Sequence, residues 1–175
     1  IFSKADDRDI YSQVSKRIFK SAADREKAKI ATISCLYGMS ARSLKSHLPD
    51  EDAARVLKEI KDFFGIQLLK NRLVKESKET EFITNMYGRK IRSSGALVNN
   101  YIQSTGVDVS LNCFKDFCQK LSERDISFRP LFVVHDALVI DVKKTDLDCV
   151  RSIVDNGLVS TGFSKPFPAN IEIGF

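Results

Sequence analysis

One segment, residues 24–38, constrains the fold most, because it has the pattern of a single amphipathic helix ended by a glycine. At 100° per residue, Arg25, Lys29, Ile33 and Tyr37 follow one another at intervals of four along one face. The opposite face carries small side chains, those of Ala28, Ala31 and Cys35. We therefore predict a helix that packs closely on its small-residue side and presents two cations, an apolar residue and a phenol on the other.

The exposed face of this helix has two interpretations. Lys and Arg side chains often extend from an ordinary surface helix while their alkyl stems cover apolar surface. Alternatively, two cations four residues apart suit a polyanion such as a triphosphate. In that case the apolar residue and the tyrosine would flank a flat base or sugar.

The composition is that of a globular protein of one domain or two small subdomains, with 175 residues, 43% of them hydrophobic and 29% charged. No apolar run approaches the length of a membrane span, and no signal peptide is expected. A net charge of +5 permits a nucleic-acid partner without requiring one. Four cysteines occur without a Cys-x2-Cys pair: Cys35, Cys113, Cys118 and Cys149. We expect reduced, buried thiols, no zinc site and a cytoplasmic location.

The pattern Arg25-x3-Lys29-x7-Tyr37-Gly38, continued as Met-Ser-Ala, resembles motif B of the family A DNA polymerases. In that family, motif B is the fingers helix that closes on the incoming nucleotide. The resemblance implies that Arg25 and Lys29 hold the triphosphate, with Lys29 also a proton donor to pyrophosphate. It implies that Ile33 and Tyr37 pack on sugar and base. The family usually has an aromatic residue at Ile33, so we expect altered sugar discrimination.

Before this helix, residues 8–20 have the pattern of another helix, and Asp9-Ile10-Tyr11 resembles the family's Asp-Ile-His segment. Tyr11 thus stands where the family has a nucleotide-binding histidine. Residues 9–13 also match motif A, Asp-Tyr-Ser-Gln, superficially. The extra Ile10 breaks the register of this match to motif A. The distance from here to Arg25 is also shorter than the distance that the family has between motif A and motif B. The resemblance therefore implies that motif A, with its metal-binding Asp, lies upstream of residue 1.

A short helix is expected at residues 40–48. Pro49 and the three acids at 50–52 predict the start of the next helix, and Gly65 separates that helix from another at 66–76. Residues 81–92 have the pattern of a hairpin, with Arg89, Lys90 and Arg92 as the densest positive charge. A basic hairpin is usually a solvated sheet edge. However, Thr-x3-Gly-Arg at residues 84–89 resembles a family segment, which implies a DNA contact.

Residues 93–123 have the pattern of a long helix, with a predicted core of Leu97, Tyr101, Val107, Leu111, Phe114, Phe117 and Leu121. Asn99 and Gln103 share one face, and without context they would be exposed amides. With Thr105 and Asp108 they resemble the family's Asn-x3-Gln-Gly-Thr-Ala-x-Asp. The resemblance implies minor-groove hydrogen bonds that test base-pair geometry without reading sequence. The family's arginine four residues before this Asn is Gly95 here, which implies either a weaker minor-groove contact on the primer side or a contact supplied by Arg92.

Two apolar strands, residues 131–134 and 138–142, are expected to be buried on either side of His135-Asp136-Ala137. A solvent-exposed turn is the ordinary interpretation. The arrangement also resembles motif C, His-Asp-Glu, which implies that His135 and Asp136 are catalytic, that Asp136 binds metal and that His135 meets DNA. Ala137 replaces the supporting Glu. Two Mg²⁺ ions are implied, with the second Asp ligand coming from the missing motif A, since Asp141 is expected to point elsewhere.

The C-terminal part is expected to contain a helix at 144–156, a loop at Pro166 and Pro168, and a strand at 170–175. The fold class is α+β: a mostly helical fingers subdomain, residues 1–92, followed by a palm portion, residues 93–175, with a small antiparallel sheet. The resemblance implies part of a DNA polymerase, a nucleotidyltransferase of DNA replication, of the bacteriophage type. Its partners would be primer-template DNA, dNTP and an N-terminal segment carrying motif A and the thumb.

Two alternatives remain open at this point. Ala137 and the missing motif A are also compatible with a non-catalytic nucleic-acid-binding module that keeps the polymerase fold. A helix-rich protein–protein module with accidental motif matches would explain each pattern separately, but it does not explain why four motifs stand in family order.

Overall fold

The computed structural model describes residues 9–21, 23–93 and 95–174. It has two compact units, Ile1–Ile102 and Gln103–Phe175, each with its own hydrophobic core. This division falls within one helix, ten residues after the predicted limit between fingers and palm. The limit itself remains a prediction, because compactness does not define polymerase subdomains.

The first unit is helical, with one small hairpin. Its helices are α1 (Ile10–Val14, continued by a π-helical turn, Ser15–Phe19), α2 (Arg25–Leu36), α3 (Ala41–His47), α4 (Ala53–Phe64) and α5 (Ile66–Thr80). Its strands are β1 (Phe82–Thr84) and β2 (Lys90–Arg92), which pair antiparallel. The predicted helix at residues 8–20 is therefore present over its described part, and Arg8 lies outside the described residues.

The helix boundaries follow from local chemistry. The helix predicted to start at Pro49 begins instead at Ala53, because the Asp52 carboxylate accepts hydrogen bonds from the backbone N–H groups of Ala54 and Arg55 and caps α4 there. Gly65 has φ +62° and separates α4 from α5, as predicted. The predicted helix at 66–76 extends four residues further, to Thr80.

The small-residue side of α2 is buried in the first core, as predicted. Ala28 and Ala31 are fully buried, and Cys35 is 5% exposed. They pack with Val14 and Ile18 from the first helical segment and with apolar residues of α4. The absence of long side chains here lets the neighbouring helices approach closely, so α2 is held with its opposite face in solvent.

The second unit begins within α6 (Leu97–Glu123) and continues with β3 (Phe128–Val134), β4 (Ala137–Val142), a 3₁₀ turn (Lys144–Asp146) and α7 (Leu147–Asp155). β3 and β4 form an antiparallel pair with an irregularity at Leu131. One side of α6 packs on α7 through Cys113, Phe117 and Leu121. Alternate residues of β4, namely Leu138, Ile140 and Val142, face the same core.

Three predictions about burial and strands are wrong. Val107 and Leu111 are 48% and 42% exposed, because α6 turns Asp108 and Cys113 inward instead. The apolar half of β3, residues 131–134, is exposed, since only Phe128 of this strand packs on the core. Residues 170–174 form no strand; the nearby bridge joins Leu158 to Phe167. Phe175 lies outside the described residues.

The four cysteines are free thiols, as predicted, but only Cys35 and Cys113 are buried, whereas Cys118 and Cys149 are half-buried. Burial raises the pKa of Cys35, Cys113 and Cys118. Within the described ranges, no helix is both long and apolar enough to pass through a bilayer.

Candidate functional site

The exposed face of α2 contains the residues expected from the helical pattern. Lys29 is exposed, and Ile33 and Tyr37 are 38% and 56% exposed. Gly38 has φ +76°, a conformation that few other residues adopt without strain, and it follows directly after the last turn. The first unit therefore presents a cation, an apolar side chain and a phenol along about two turns of one helix and its C-cap.

Arg25, at the start of this face, is held by Asp9. Its Nε lies 2.5 Å from Asp9 Oδ2 and its Nη2 lies 3.3 Å from Asp9 Oδ1. Its Nη1 donates to Glu26 Oε1 at 3.1 Å. The guanidinium carbon lies 5.5 Å from the centre of the Tyr11 ring, a cation–π distance. The Asp9 carboxylate thus binds one edge of the Arg25 guanidinium, and the Tyr11 ring lies over its face.

These contacts shift the pKa values of both ionised groups. The hydrogen bond from Arg25, supported by one from Ser12, lowers the pKa of Asp9 to about 2. The same hydrogen bond raises the pKa of Arg25. Both groups are therefore charged throughout the physiological range.

Lys29 differs from Arg25, since no hydrogen bond or ion pair from any residue in the described ranges holds its ammonium group. It lies beside a shallow groove whose lining is largely apolar, formed with Ile30, Ile33, Ser34 and Met39. His47 of α3 and Glu26 complete the groove. A solvated cation at the edge of an apolar groove suits a ligand with an anionic tail and a flat apolar part.

The hairpin β1–β2 exposes its predicted cations Arg89, Lys90 and Arg92. Its loop is organised by Asn85, which is only 5% exposed. The Asn85 Oδ1 atom accepts from the backbone N–H groups of Tyr87 at 2.9 Å and of Arg89 at 3.0 Å. The side chain of Asn85 therefore holds the backbone of a loop that carries exposed cationic side chains.

The two amides of α6 lie four residues apart, Asn99 half-buried and Gln103 exposed. Gly95 precedes the helix with φ +65°. Asp108 is buried at 7% exposure, and half-buried Thr105 has a buried hydroxyl. Each amide keeps a surface that a ligand can reach.

His135 and Asp136 form the two-residue turn between β3 and β4, and both are exposed. His135 has φ +53°, the left-handed conformation that such a tight turn requires. Asp141 lies further along β4 and pairs with Arg129 across the hairpin, Oδ2 to Nη2 at 3.1 Å. The Asp141 carboxylate is therefore engaged by Arg129 within the hairpin. Among the described residues, no cluster of three or more His, Cys, Asp or Glu side chains has the arrangement of a metal site.

Comparison with known proteins identifies the family. The family model described as DNA polymerase family A matches residues 1–175. The chain belongs to DNA polymerase family A.

Members of this family with curated descriptions are similar at a low level of identity. DNA polymerase I of Bacillus subtilis (strain 168) is 25% identical over 171 residues, which cover 85% of this chain and 19% of that protein. DNA polymerase I of Aquifex aeolicus (strain VF5) is 26% identical over 164 residues, covering 85% of this chain and 29% of that protein. The chain thus spans less than a third of the length of these family A relatives.

The fold is also that of a family A polymerase domain. The chain resembles a solved structure, the POL domain of Pol1 from M. smegmatis in complex with DNA primer-template and dNTP, with a TM-score of 0.66 and 20% identity. The similarity covers 82% of this chain and 30% of that one. The predicted α+β fold class is therefore confirmed.

Two residues with a role at these sites were not identified from the sequence. The sequence indicates Asp9 only as part of a family segment and predicts no partner for it, although an Asp just before a helix is a typical N-cap. Its pairing with Arg25 crosses 16 residues and leaves no local signal. Asn85 has one available signal in the sequence, because an Asn at the first position of a turn often accepts a hydrogen bond from the backbone N–H two residues later.

Proposed function

We propose that this chain is the fingers and C-terminal palm portion of a template-directed DNA polymerase. The reaction is transfer of a nucleotide from dNTP to a primer 3′-OH, with release of pyrophosphate. The observation that carries this proposal is the exposed face of α2, on which a cation, an apolar residue and a phenol follow one another in a family A domain. The M. smegmatis structure with the same fold holds DNA primer-template and dNTP, which supports these two as partners.

The nucleotide-binding roles fall to α2 and the segment before it. Lys29, solvated and beside the apolar groove, would bind the triphosphate and donate a proton to the leaving pyrophosphate. Arg25 would bind the phosphates through its guanidinium. Ile33 and Tyr37 would pack against sugar and base, and Tyr11 would stand at the edge of this site.

The DNA-binding roles fall to α6 and the two hairpins. Asn99 and Gln103 would donate hydrogen bonds to minor-groove acceptors that every correct base pair offers. The exposed cations of the basic hairpin, Arg89, Lys90 and Arg92, would contact phosphates.

The turn at His135-Asp136 would supply one half of the catalytic metal site. A carboxylate is the right donor for Mg²⁺, but one carboxylate does not make a site, and Asp141 is engaged by Arg129. A second Asp would come from a motif A segment upstream of residue 1. Bound Mg²⁺ would supply electrostatic stabilisation of the attacking and leaving oxygens. His135 would position the primer end beside Asp136.

A second candidate function is supported by Ala137. Without a carboxylate next to Asp136, the chain could bind primer-template DNA and no longer catalyse. The resemblance to polymerases of bacteriophages likewise stays a prediction, since the relatives described above are bacterial.

Complementation distinguishes the two functions. The chain is mixed with, or fused to, an upstream family A segment that contains motif A and the thumb, and Mg²⁺-dependent primer extension is measured. The polymerase proposal expects extension with the pair and none with either part alone. Salt-dependent primer-template binding with no extension in either format would favour the binding module.

A further inference from the structure

The Asp9 carboxylate occupies the same edge of Arg25 that a phosphate would use. A guanidinium binds an oxyanion best through two parallel N–H bonds, and here the Nε and Nη2 edge points at the two oxygens of Asp9. Nη1 is directed at Glu26, and the Tyr11 ring covers a face. The Nε and Nη2 edge of Arg25, which would bind an incoming phosphate through two parallel hydrogen bonds, is therefore already bound to Asp9.

Asp9 is fixed in place more firmly than Arg25. Its Oδ1 accepts from the backbone N–H of Tyr11 at 3.2 Å, and its Oδ2 accepts from Ser12 Oγ at 2.6 Å. These bonds cap α1, so the carboxylate stays with that helix. Arg25 has a long side chain that is 45% exposed and can swing away. If one partner moves, it is the arginine.

We propose that Asp9 is an internal competitor of the triphosphate for Arg25, which lowers the affinity for anionic ligands until Arg25 is released. The inference rests on the proposed role of Arg25 in phosphate binding. Lys29 makes the first contact with the anion, since no described residue pairs with it, and Arg25 joins when the anion replaces Asp9. A ligand with several negative charges compensates for the lost ion pair, so Asp9 favours a triphosphate over a monophosphate.

The test is binding of inorganic tripolyphosphate to the chain, measured by calorimetry at fixed ionic strength. Asp9→Asn keeps a side chain that caps a helix well, so α1 is preserved while the competing charge is removed. We expect Asp9→Asn to bind tripolyphosphate about two- to fivefold more tightly than the wild type, the range that an exposed ion pair supports. Glu79→Gln is the matched control. It makes the same change in net charge on the exposed side of α5 and should change affinity less.

A double-mutant cycle shows whether the effect passes through Arg25. In an Arg25→Gln background, Asp9→Asn should no longer tighten binding beyond the change seen with Glu79→Gln. In the wild type, the Nε–H resonance of Arg25 should be protected from solvent exchange and should shift when tripolyphosphate saturates the chain.

Three results would contradict the inference. Asp9→Asn could bind no more tightly than Glu79→Gln, which would make Asp9 a positioning residue or a bystander. The Arg25 resonance could stay unchanged at saturation, or neither wild type nor Asp9→Asn could bind measurably. If Arg25→Gln weakens binding while Asp9→Asn does not tighten it, only this inference fails. If Arg25→Gln binds as well as the wild type, the assigned role of Arg25 fails with it.

Discussion

The side-chain oxygen of Asn85 accepts a hydrogen bond from the backbone N–H of Arg89 at 3.0 Å, within the loop of the basic hairpin. Asn85 also pairs with Arg89 through the main chain, its N–H donating to the Arg89 carbonyl at 3.0 Å. A nearly buried amide thus fixes the position from which an exposed cation leaves the hairpin. Asn85 therefore holds the backbone of this loop in place, and Arg89 contributes positive charge to it.

Replacement of Asn85 by Ala should loosen the loop and weaken primer-template binding. Two backbone N–H groups lose their acceptor, which we expect to reduce the free energy of unfolding by about 1–3 kcal/mol. Urea denaturation measures this loss, and fluorescence anisotropy measures DNA affinity. Asn85→Asp keeps the acceptor oxygen and should retain most of the stability. Equal losses in both variants would show that the acceptor is not what matters.

Replacement of Lys29 by Ala should reduce the rate of primer extension in the complemented enzyme by about 10- to 100-fold, because a phosphate-binding cation and proton donor is lost. Lys27 offers a matched control on the same helix, since it is paired with Glu51 at 3.2 Å and Asp24 at 3.4 Å. Lys27→Ala should leave the rate within a few-fold of wild type. Similar losses in the two variants would point to helix stability as the cause.

Replacement of Asp136 by Asn should abolish Mg²⁺-dependent extension in the complemented enzyme while primer-template binding persists, because an amide is a poor substitute for a metal-binding carboxylate. Asp141→Asn removes a carboxylate from the same hairpin that pairs with Arg129 instead, and it should keep the activity. Activity that survives in Asp136→Asn would remove this residue from the metal site.

Replacement of Ala31 by Leu should destabilise the fold, because Ala31 is fully buried where α2 meets its neighbours. Overpacking of this kind costs about 1–3 kcal/mol of the free energy of unfolding, measured in urea. Ala54→Leu places the same side chain at an exposed position of α4 and should change the stability little. Tolerance of Leu at position 31 would contradict the close packing of α2.

The stability difference between wild type and Asp9→Asn should depend on pH. The pKa of Asp9 is lowered from 3.8 to about 2. Its ion pair therefore stabilises the fold fully at pH values above the pKa of Asp9 in the unfolded state. That contribution is lost as the pH falls from about 5 to 2, since the unfolded-state carboxylate gains a proton while the paired carboxylate of the folded state stays ionised, and it has vanished once both states are protonated. The pair is solvent-exposed, so we expect only about 0.5–1 kcal/mol. Urea denaturation at several pH values measures it, and a pH-independent difference would contradict the pairing.

Local patterns determined which segments are helices and which residues of α2 face outward. The 3.6-residue period of α2 places Ala28 and Ala31 on one side and Lys29 and Ile33 on the other wherever the helix lies. The residues flanking a turn likewise indicate the hairpin at 81–92, and two apolar runs around His135-Asp136 indicate the second hairpin. The ordered motifs, Arg25-x3-Lys29 and His135-Asp136 among them, were enough to indicate the family.

Burial and partnership were decided by tertiary structure alone. Val107 and Leu111 are apolar at helical spacing, yet they are exposed, because burial depends on what packs over a face and not on the residues in it. The apolar run in β3 is exposed for the same reason. Arg25 was recognised as a cation from the sequence, but its pairing with Asp9 requires two segments separated by 16 residues to meet. The sequence by itself therefore determined the family and the residues that face outward on α2. The packing of α1 against α2 decided that Arg25 is paired with Asp9 while Lys29 is solvated.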